Sequence, residues 1–202
     1  MDVELSRVQQ YLEWMKTKLF LDKKAKNAKE PSIRFVRRGQ VYECSFGVGI
    51  GSEQEKENRP CVILQNYNGN RNSPNTIVAP ISHTDDKLPV IVELETQYNS
   101  DGTVKLDGSV LLANVITISK ARLGNLITDL GSEEMKKIDL ALAKSIDIHK
   151  YYLDISKQLD KKKEYIVNLK KERNSAQDDL KKILNLLQVT SLEEAEEKIK
   201  NL

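Results

Sequence analysis

The beginning of the chain carries an apolar stripe with helical spacing. No glycine or proline occurs in residues 1–29. Three- and four-residue steps between apolar residues predict a helix with a coiled-coil-like seam, formed by Leu5, Val8, Leu12, Met15 and Leu19. The stripe is lost in the basic stretch 23–29, and Pro31 follows it. We therefore expect a linker near residues 27–33.

From Arg34 onward the pattern changes to short β-rich runs. Eight of the nine glycines and four of the five prolines lie between residues 39 and 124. Turn sequences such as Asn68-Gly69 and Asp101-Gly102 separate these runs. The predicted strands are 40–46, 61–65, 76–81, 90–94 and 109–118. Five or more strands in roughly 80 residues imply a mostly antiparallel sheet that curls into a small barrel.

A helical pattern returns after Gly131. Ser132 precedes two glutamates, Glu133 and Glu134, which predicts an N-cap with favourable charges in the first turn. The helix is expected over residues 133–147. Its predicted packing face consists of Met135, Ile138, Leu142 and Ile146.

The last segment, residues 150–202, follows a seven-residue repeat without glycine or proline. Lys162 and Arg173 interrupt the apolar positions, but the seam is sustained enough to predict a long helix that buries its stripe against a partner. Ser191-x-x-Glu194 predicts a capping box that opens a short final helix. The a and d positions are Tyr152, Ile155, Leu159, Ile166, Leu169, Ala176, Leu180, Ile183 and Leu187.

These patterns predict an α+β chain with three parts. A helix and linker occupy residues 1–33, a small barrel with its own C-terminal helix occupies 34–149, and a helical, coiled-coil-like extension occupies 150–202. The many charged residues of the helices are those of a solvated face and do not by themselves indicate an RNA-binding surface.

Composition narrows the function classes. The 202 residues include 32 Lys and Arg against 30 Asp and Glu, a net charge of +2, which excludes a strongly basic nucleic-acid-binding tail. No stretch of 18 uncharged apolar residues and no signal-peptide pattern occurs, so we expect a cytoplasmic protein without a membrane span. The two cysteines and two histidines do not have the spacing of a zinc site, so we expect reduced thiols, no metal and no cofactor.

Candidate chemistry lies where predicted strands begin and end. Arg59 stands before Pro60 and an apolar run, where its planar guanidinium can bind an anion, although a surface ion pair with Glu55 or Glu57 is an alternative. Ser82 ends the strand 76–81. His83 is a candidate because an imidazole can transfer protons near neutral pH, but strand alternation directs it away from a cleft that Ser82 faces.

Two further patterns do not meet a known fingerprint. Asp85 and Asp86 are adjacent carboxylates in a polar turn and are more typical of a solvated turn than of a cation site. Gly47, Gly49 and Gly51 alternate as in a phosphate-binding loop, but no lysine–hydroxyl pair follows them. This segment is better interpreted as a loop that overhangs a site.

Six motifs, in order and covering roughly residues 36–148, resemble the MazF/PemK toxins of type II toxin–antitoxin systems. The residues that carry the resemblance are Arg38-Gly39-Gln40-Val41-Tyr42, Gly51-Ser52-Glu53-Gln54, Arg59-Pro60-x-Val62-Ile63-Leu64-Gln65-Asn66, Asn70-Arg71-x-Ser73-Pro74-x-Thr76-Ile77-Val78-Ala79-Pro80-Ile81-Ser82, Lys87-Leu88-Pro89 with Val92-Glu93-Leu94, and Ser109-Val110-Leu111-Leu112 with Ile118-Ser119-Lys120-x-Arg122-Leu123.

The resemblance implies an SH3-like barrel, usually a homodimer, that cleaves single-stranded RNA without a metal and is bound by a cognate antitoxin, with DNA binding by the toxin–antitoxin complex. The family's catalytic arginine and threonine correspond to Arg59 and Ser82. The RNA's own 2′-hydroxyl attacks the phosphate and leaves a 2′,3′-cyclic phosphate and a 5′-hydroxyl. Substrate-binding positions carried over by the resemblance are Ser52, Glu53, Gln54, Thr84 and Asn114.

The sequence departs from the family pattern in three places. Ser82 replaces threonine and loses the branched Cβ that fixes the rotamer. The loop before Arg59 is charged at 55–57 and about one residue longer, and Ala113-Asn114 replaces Glu-Gln. A weak or inactive MazF-like RNA- or protein-binding module is therefore the alternative function, and a coiled-coil scaffold is a third possibility.

The two helical additions lead to two hypotheses. The stripe of the N-terminal helix and the heptads of the C-terminal helix pack on each other, within one chain or across a dimer. Alternatively, the added helices occupy the groove where an antitoxin docks, which makes the chain partly self-inhibited.

Overall fold

The computed structural model describes residues 4–27, 34–51, 53 and 58–201. The predicted linker thus lies almost wholly outside the described residues. The chain divides into two compact units, Met1–His149 and Lys150–Leu202. The helices are α1 (Leu5–Asn27), α2 (Tyr67–Asn72), α3 (Ser132–Ser145), α4 (His149–Leu186) and α5 (Leu192–Lys200). The strands are β1 (Gln40–Cys44), β2 (Arg59–Ile63), β3 (Asn75–Ser82), β4 (Ile91–Glu93), β5 (Gln97–Tyr98), β6 (Val104–Leu106), β7 (Ser109–Leu111), β8 (Ile116–Ser119) and β9 (Leu123–Asp129).

The first unit is built on an antiparallel sheet with strand order β4-β7-β3-β2-β1-β9, and β8 pairs with β3. This confirms the predicted α+β class with a mostly antiparallel sheet and flanking helices. Within the described ranges the pairing path does not return from β9 to β4, so the sheet is not seen to close into a barrel.

The two faces of the sheet carry separate apolar clusters, because side chains alternate along each strand. One face packs under α3, with Val41, Val62, Ile81, Val110 and Ile138 in its cluster. The other face holds Tyr42, Cys44, Phe46, Cys61, Ile63, Val78, Ile118 and Leu123. All of these side chains are buried, and they fix the strands that carry the candidate site.

Several boundaries differ from the sequence prediction. The run 109–118 is not one strand, because a 3-10 turn at Leu112–Asn114 separates β7 from β8. The β5–β6 hairpin and β9 were not expected. The helix α3 has Gly131 as its N-cap, with Ser132 inside the helix, and the Glu134 carboxylate accepts a hydrogen bond from the Gly131 amide at 3.0 Å.

The packing face of α3 is correct except at its end. Ile138 is fully buried, and Met135 and Leu142 pack against the same cluster. Ile146, in contrast, is 60% exposed, because the helix ends at Ser145 and the chain turns through Asp147 with a positive φ.

The N-terminal helix α1 forms as predicted, but its apolar stripe is not the face that contacts the sheet. Leu5, Leu12 and Leu19 are each at least 60% exposed. A different face, with Arg7, Tyr11 and Trp14, reaches the segment that follows β1.

The second unit contains α4 and α5. The Ser191 hydroxyl accepts a hydrogen bond from the Glu194 amide at 3.2 Å, which confirms the predicted N-cap of α5. The Glu194 carboxylate accepts from the amide of Thr190 rather than of Ser191. In the part of the chain that the structure describes, no helix combines the length and apolar character that crossing a bilayer requires.

Candidate functional site

Arg59 and Ser82 lie on adjacent antiparallel strands. The β2–β3 ladder pairs Ile63 with Val78 and Cys61 with Pro80. The same register continued by two residues sets Arg59 level with Ser82. Side chains alternate between the two faces along a strand, and Arg59 and Ser82 each lie two residues from the paired Cys61 and Pro80. Their side chains therefore leave the same face of the sheet as Cys61.

Arg59 and Ser82 form a row across the sheet, and this row continues on the strands to either side. Cys44 of β1 pairs with Arg59, and Ser109 of β7 pairs with Ser82. The hydroxyl-bearing Ser109 is buried and stands on the same face, next to Ser82. Sequence reasoning did not select Ser109 as a site residue, because a serine at the start of an apolar run has no signal of its own.

The backbone between these serines is tightly packed. Gly108 has a φ of +94°, and a Cβ there would lie 3.1 Å from the Ser82 carbonyl oxygen. A side chain would therefore push the end of β3 away from β7. Glycine at this position lets β3 and β7 approach closely at the point where Ser82 is presented.

Two buried thiols lie on the face of the sheet that carries Arg59. Cys44 and Cys61 are both fully buried and both are free cysteines. A hydrogen bond with Cys44 and burial together raise the pKa of the Cys61 thiol well above its usual range.

The hydroxyl of Ser82 and the imidazole of His83 have different surroundings. Ser82 Oγ makes a long hydrogen bond of 3.4 Å to the His83 carbonyl oxygen, a weak contact that a ligand can replace. His83 Nε2 lies 3.1 Å from Asp107 Oδ2, and the imidazole is 79% exposed. His83 is thus engaged with β6–β7 residues rather than with Arg59.

An open groove of about 1020 Å³ begins beside Ser109 and runs under the β3–β4 connection. Its walls include Thr84, Leu88, Ile91 and Asp107. Thr84 Oγ1 accepts a hydrogen bond from the Asp86 amide, which orders the start of this connection. The groove combines apolar walls with carboxylates and is contiguous with the serine row.

The remaining predicted substrate-binding residues are dispersed. Asn114 closes the 3-10 turn after β7 and is half-buried, and this turn contacts β3. Glu53 lies in the β1–β2 connection, where its carboxylate accepts from the Ile50 amide at 2.9 Å. Ser52 and Gln54 lie outside the described residues.

The site offers no obvious metal position. Across the described ranges, no three His, Cys, Asp or Glu side chains come together in a way that could hold a metal ion. The side chains that the strand register brings together at the site carry a guanidinium and hydroxyls.

Residues 37–146, just over half of the chain, match the family described as PemK-like, MazF-like toxin of type II toxin–antitoxin system. The chain belongs to this family. The match takes in the whole sheet and α3, while α1, α4 and α5 lie outside the matched region.

The chain is also similar to individual proteins. Endoribonuclease EndoA of Bacillus subtilis is 40% identical over 113 residues, which cover 55% of this chain and 94% of the relative. Among solved structures, a mycobacterial endoribonuclease in complex with its cognate antitoxin is 27% identical, with a TM-score of 0.46, over 55% of this chain and 95% of that one. MazF of Deinococcus radiodurans is 16% identical, with a TM-score of 0.48, over 56% of this chain and 97% of that one.

Proposed function

We propose that this PemK/MazF-like chain is an endoribonuclease that cleaves single-stranded RNA and acts as the toxin of a type II toxin–antitoxin system. Family membership and the 40% identity to an endoribonuclease support the activity class. The observation that carries the assignment to this site is the placement of Arg59 level with Ser82 on one face of the sheet. A phosphodiester that spans the two strand ends would meet a cation from one and a hydroxyl from the other.

The proposed reaction uses a nucleophile that the substrate brings. The 2′-oxygen forms a bond to the adjacent phosphorus, the bond from phosphorus to the 5′-oxygen breaks, and the 2′-hydroxyl proton is released. The 5′-oxygen gains a proton, so the products are a 2′,3′-cyclic phosphate and a 5′-hydroxyl. The protein needs only to align these atoms and stabilise the added negative charge, so the reaction is proposed to be metal-independent.

Each site residue then has a defined part. The guanidinium of Arg59 donates two parallel hydrogen bonds to the non-bridging oxygens and stabilises the phosphorane. Its role is electrostatic, because it offers a positive charge where negative charge builds up on the phosphorane. Ser82 donates a hydrogen bond to a non-bridging oxygen, and Ser109 is its buried cross-strand neighbour.

RNA binding is proposed to extend from this row along the neighbouring loops. Glu53, with Ser52 and Gln54, contacts the RNA from the β1–β2 connection, and Thr84 and Asn114 contact it from the groove side. Because the groove is acidic, it accepts the amino groups of bases better than it accepts phosphates.

The remaining proposals concern the molecule in the cell. We place the catalytic domain at residues 34–149, as an SH3-like barrel that forms a homodimer, and the helices at 1–33 and 150–202 as additions. A cognate antitoxin is the protein partner, in keeping with the family, and the cytoplasm is the compartment in which the RNA is met.

The test is cleavage of a long mixed-sequence RNA in EDTA by the full chain and by its Arg59→Ala variant. We expect the wild-type chain to cut, the fragments to carry 2′,3′-cyclic phosphates, and Arg59→Ala to lose about 100- to 1,000-fold in rate. A substrate with a 2′-deoxy sugar at the cut site should resist cleavage. Binding without cleavage would instead favour the inactive binding module, and cleavage that EDTA abolishes would contradict the proposed chemistry.

A further inference from the structure

Two donors from the added helix α1 converge on one backbone carbonyl of the sheet unit. Arg7 Nη2 donates to the Gly49 carbonyl oxygen at 2.7 Å, and Tyr11 Oη donates to the same oxygen at 3.1 Å. The Arg7 guanidinium also stacks on the Tyr11 ring at 5.1 Å, so the two donors hold each other in position. The carbonyl of Gly49 is therefore fixed from outside its own loop.

One turn further along α1, an aromatic ring covers a neighbouring glycine. A Cβ on Gly47, which has a φ of +88°, would fall inside the Trp14 indole ring. The Arg122 guanidinium stacks on the same ring at 5.3 Å and donates to the Phe46 carbonyl oxygen at 3.2 Å. The ring is thus sandwiched between the glycine backbone and Arg122. This contact depends on the absence of a side chain at residue 47.

The segment that α1 contacts at Gly47 and Gly49 leads from β1 towards Arg59. Gly49 lies against Glu53, since a Cβ on the glycine would come within 2.8 Å of the Glu53 Cβ. The Glu53 amide donates to the Ile50 carbonyl oxygen at 3.1 Å, and the Glu53 carboxylate accepts from the Ile50 amide. The α1 contacts at Gly47 and Gly49 are therefore coupled through this turn to Glu53, a proposed RNA contact.

We propose that α1 is a clamp that holds Gly47–Gly51, and Glu53 bonded to Ile50, in their RNA-binding conformation, with Arg7, Tyr11 and Trp14 as positioning residues. The proposal rests on the proposed ribonuclease function. It concerns a helix that lies outside the matched family region, so it assigns a role to a part of the chain that the family does not account for.

The physical reason is the glycine content of the segment. Glycines at 47, 49 and 51 give an unclamped segment many backbone conformations, and ordering them when RNA binds costs free energy. A clamp orders the segment when the protein folds, so this cost no longer weakens RNA binding. The benefit falls on binding rather than on the chemical step, since Arg59 and Ser82 are held by the sheet.

The experiment compares the full chain with Arg7→Ala/Tyr11→Phe, which removes both donors and keeps the tyrosine ring. We expect KM for RNA to rise about tenfold, with kcat within about twofold, from the loss of two hydrogen bonds. The cut-site pattern on a long RNA should broaden. Lys18→Ala is the matched control, because it removes one positive charge from an exposed position of the same helix.

Two readouts that do not need activity accompany the kinetics. Trp14 is the only tryptophan, so its emission reports directly on α1 and should shift to the red in the double variant. Amide exchange at Val48 and Ile50 should accelerate, while exchange in β2 and β3 stays unchanged. These changes should be absent in Lys18→Ala.

The outcomes separate the clamp from the ribonuclease function. Unchanged emission and exchange in the double variant would overturn the clamp, whatever the activity. A lower KM or a higher kcat would also overturn it and would favour self-inhibition by α1. If the wild-type chain cuts no RNA, the ribonuclease function fails, and RNA affinity measured by filter binding in the same variants decides the clamp, with an unchanged affinity contradicting it.

Discussion

At the scale of single residues, the chemistry of the candidate site follows from side chains that share one row of the sheet. Arg59 and Ser82 could be selected from the sequence because a strand boundary and a family motif coincide at each of them. Ser109 could not, because its position beside Ser82 depends on the β3–β7 register, which joins residues far apart in the chain. Cross-strand neighbours of this kind become visible only when the pairing is known.

Ser82 tests how much the departure from threonine matters. Ser82→Thr restores a branched Cβ that restricts χ1, so we expect kcat to rise a few fold. Ser82→Ala should lower kcat about 10- to 100-fold, since one neutral donor to the phosphorane is lost. Single-turnover cleavage of one short RNA measures both. Equal rates for all three proteins would show that the hydroxyl takes no part.

The raised pKa of Cys61 predicts how the stability of the fold changes at alkaline pH. Its pKa is raised in the folded protein by the hydrogen bond with Cys44 and by burial, so the folded state keeps the proton longer than the unfolded chain does. Stability from this thiol is therefore complete below the ordinary thiol pKa of about 8.5 and is lost progressively as pH rises above it. In thermal melts from pH 7 to 10.5, Cys61→Ala should show a shallower decline of Tm than the wild type. Parallel declines would contradict this.

At the scale of elements, the sequence predicted those with a strong period or cap. Helices α1, α3, α4 and α5 were expected, as were β1, β2 and β3 within a few residues. The β5–β6 hairpin was missed, because strands of two and three residues are too short to show alternation. Strand β9 was missed because Gly124 and Asn125 lower its β propensity, while pairing with β1 stabilises it through an irregular register.

A substitution at Gly47 tests the contact between α1 and the sheet by changing the sheet's side of that contact. Gly47→Ala should displace the Trp14 ring and strain a backbone with positive φ, so α1 should detach while the sheet remains folded. We expect a red shift of Trp14 emission with little change in the β-sheet signal by circular dichroism. Gly102→Ala is the control, because it also has a positive φ but open space at its Cβ. An unchanged emission in Gly47→Ala would contradict the observed packing.

At the scale of the whole molecule, the family region accounts for the sheet and α3, the clamp is proposed for α1, and α4 and α5 have no assigned role. The exposed apolar positions of α4 include Ile155, Leu159, Ile166 and Leu169, each at least 42% exposed. The heptad pattern predicted a helix but not its partner, because a seam specifies periodicity while the partner depends on a second surface. The hypothesis that this seam packs against α1 or a second chain stays a prediction.

A charge-insertion variant of α4 tests that hypothesis. Ile166→Glu/Leu169→Glu places charges on the seam and should lower the molecular mass in solution or the Tm, because a buried apolar interface is disrupted. Asn168→Glu/Lys171→Glu changes the same turns off the seam and should leave both unchanged. Mass from light scattering and thermal melts are the measurements. If the seam variant behaves like its control, α4 does not bury this stripe.

The proposed ribonuclease function requires Arg59 and Ser82 to act together on one phosphodiester. A double-mutant cycle of single-turnover rate constants in EDTA tests this requirement, with wild type, Arg59→Ala, Ser82→Ala and the double variant on one short RNA. We expect each single variant to be slowed and the double variant to be slowed by less than the product of the two effects. An Arg59→Ala rate equal to the wild type, or two effects that multiply independently, would contradict it.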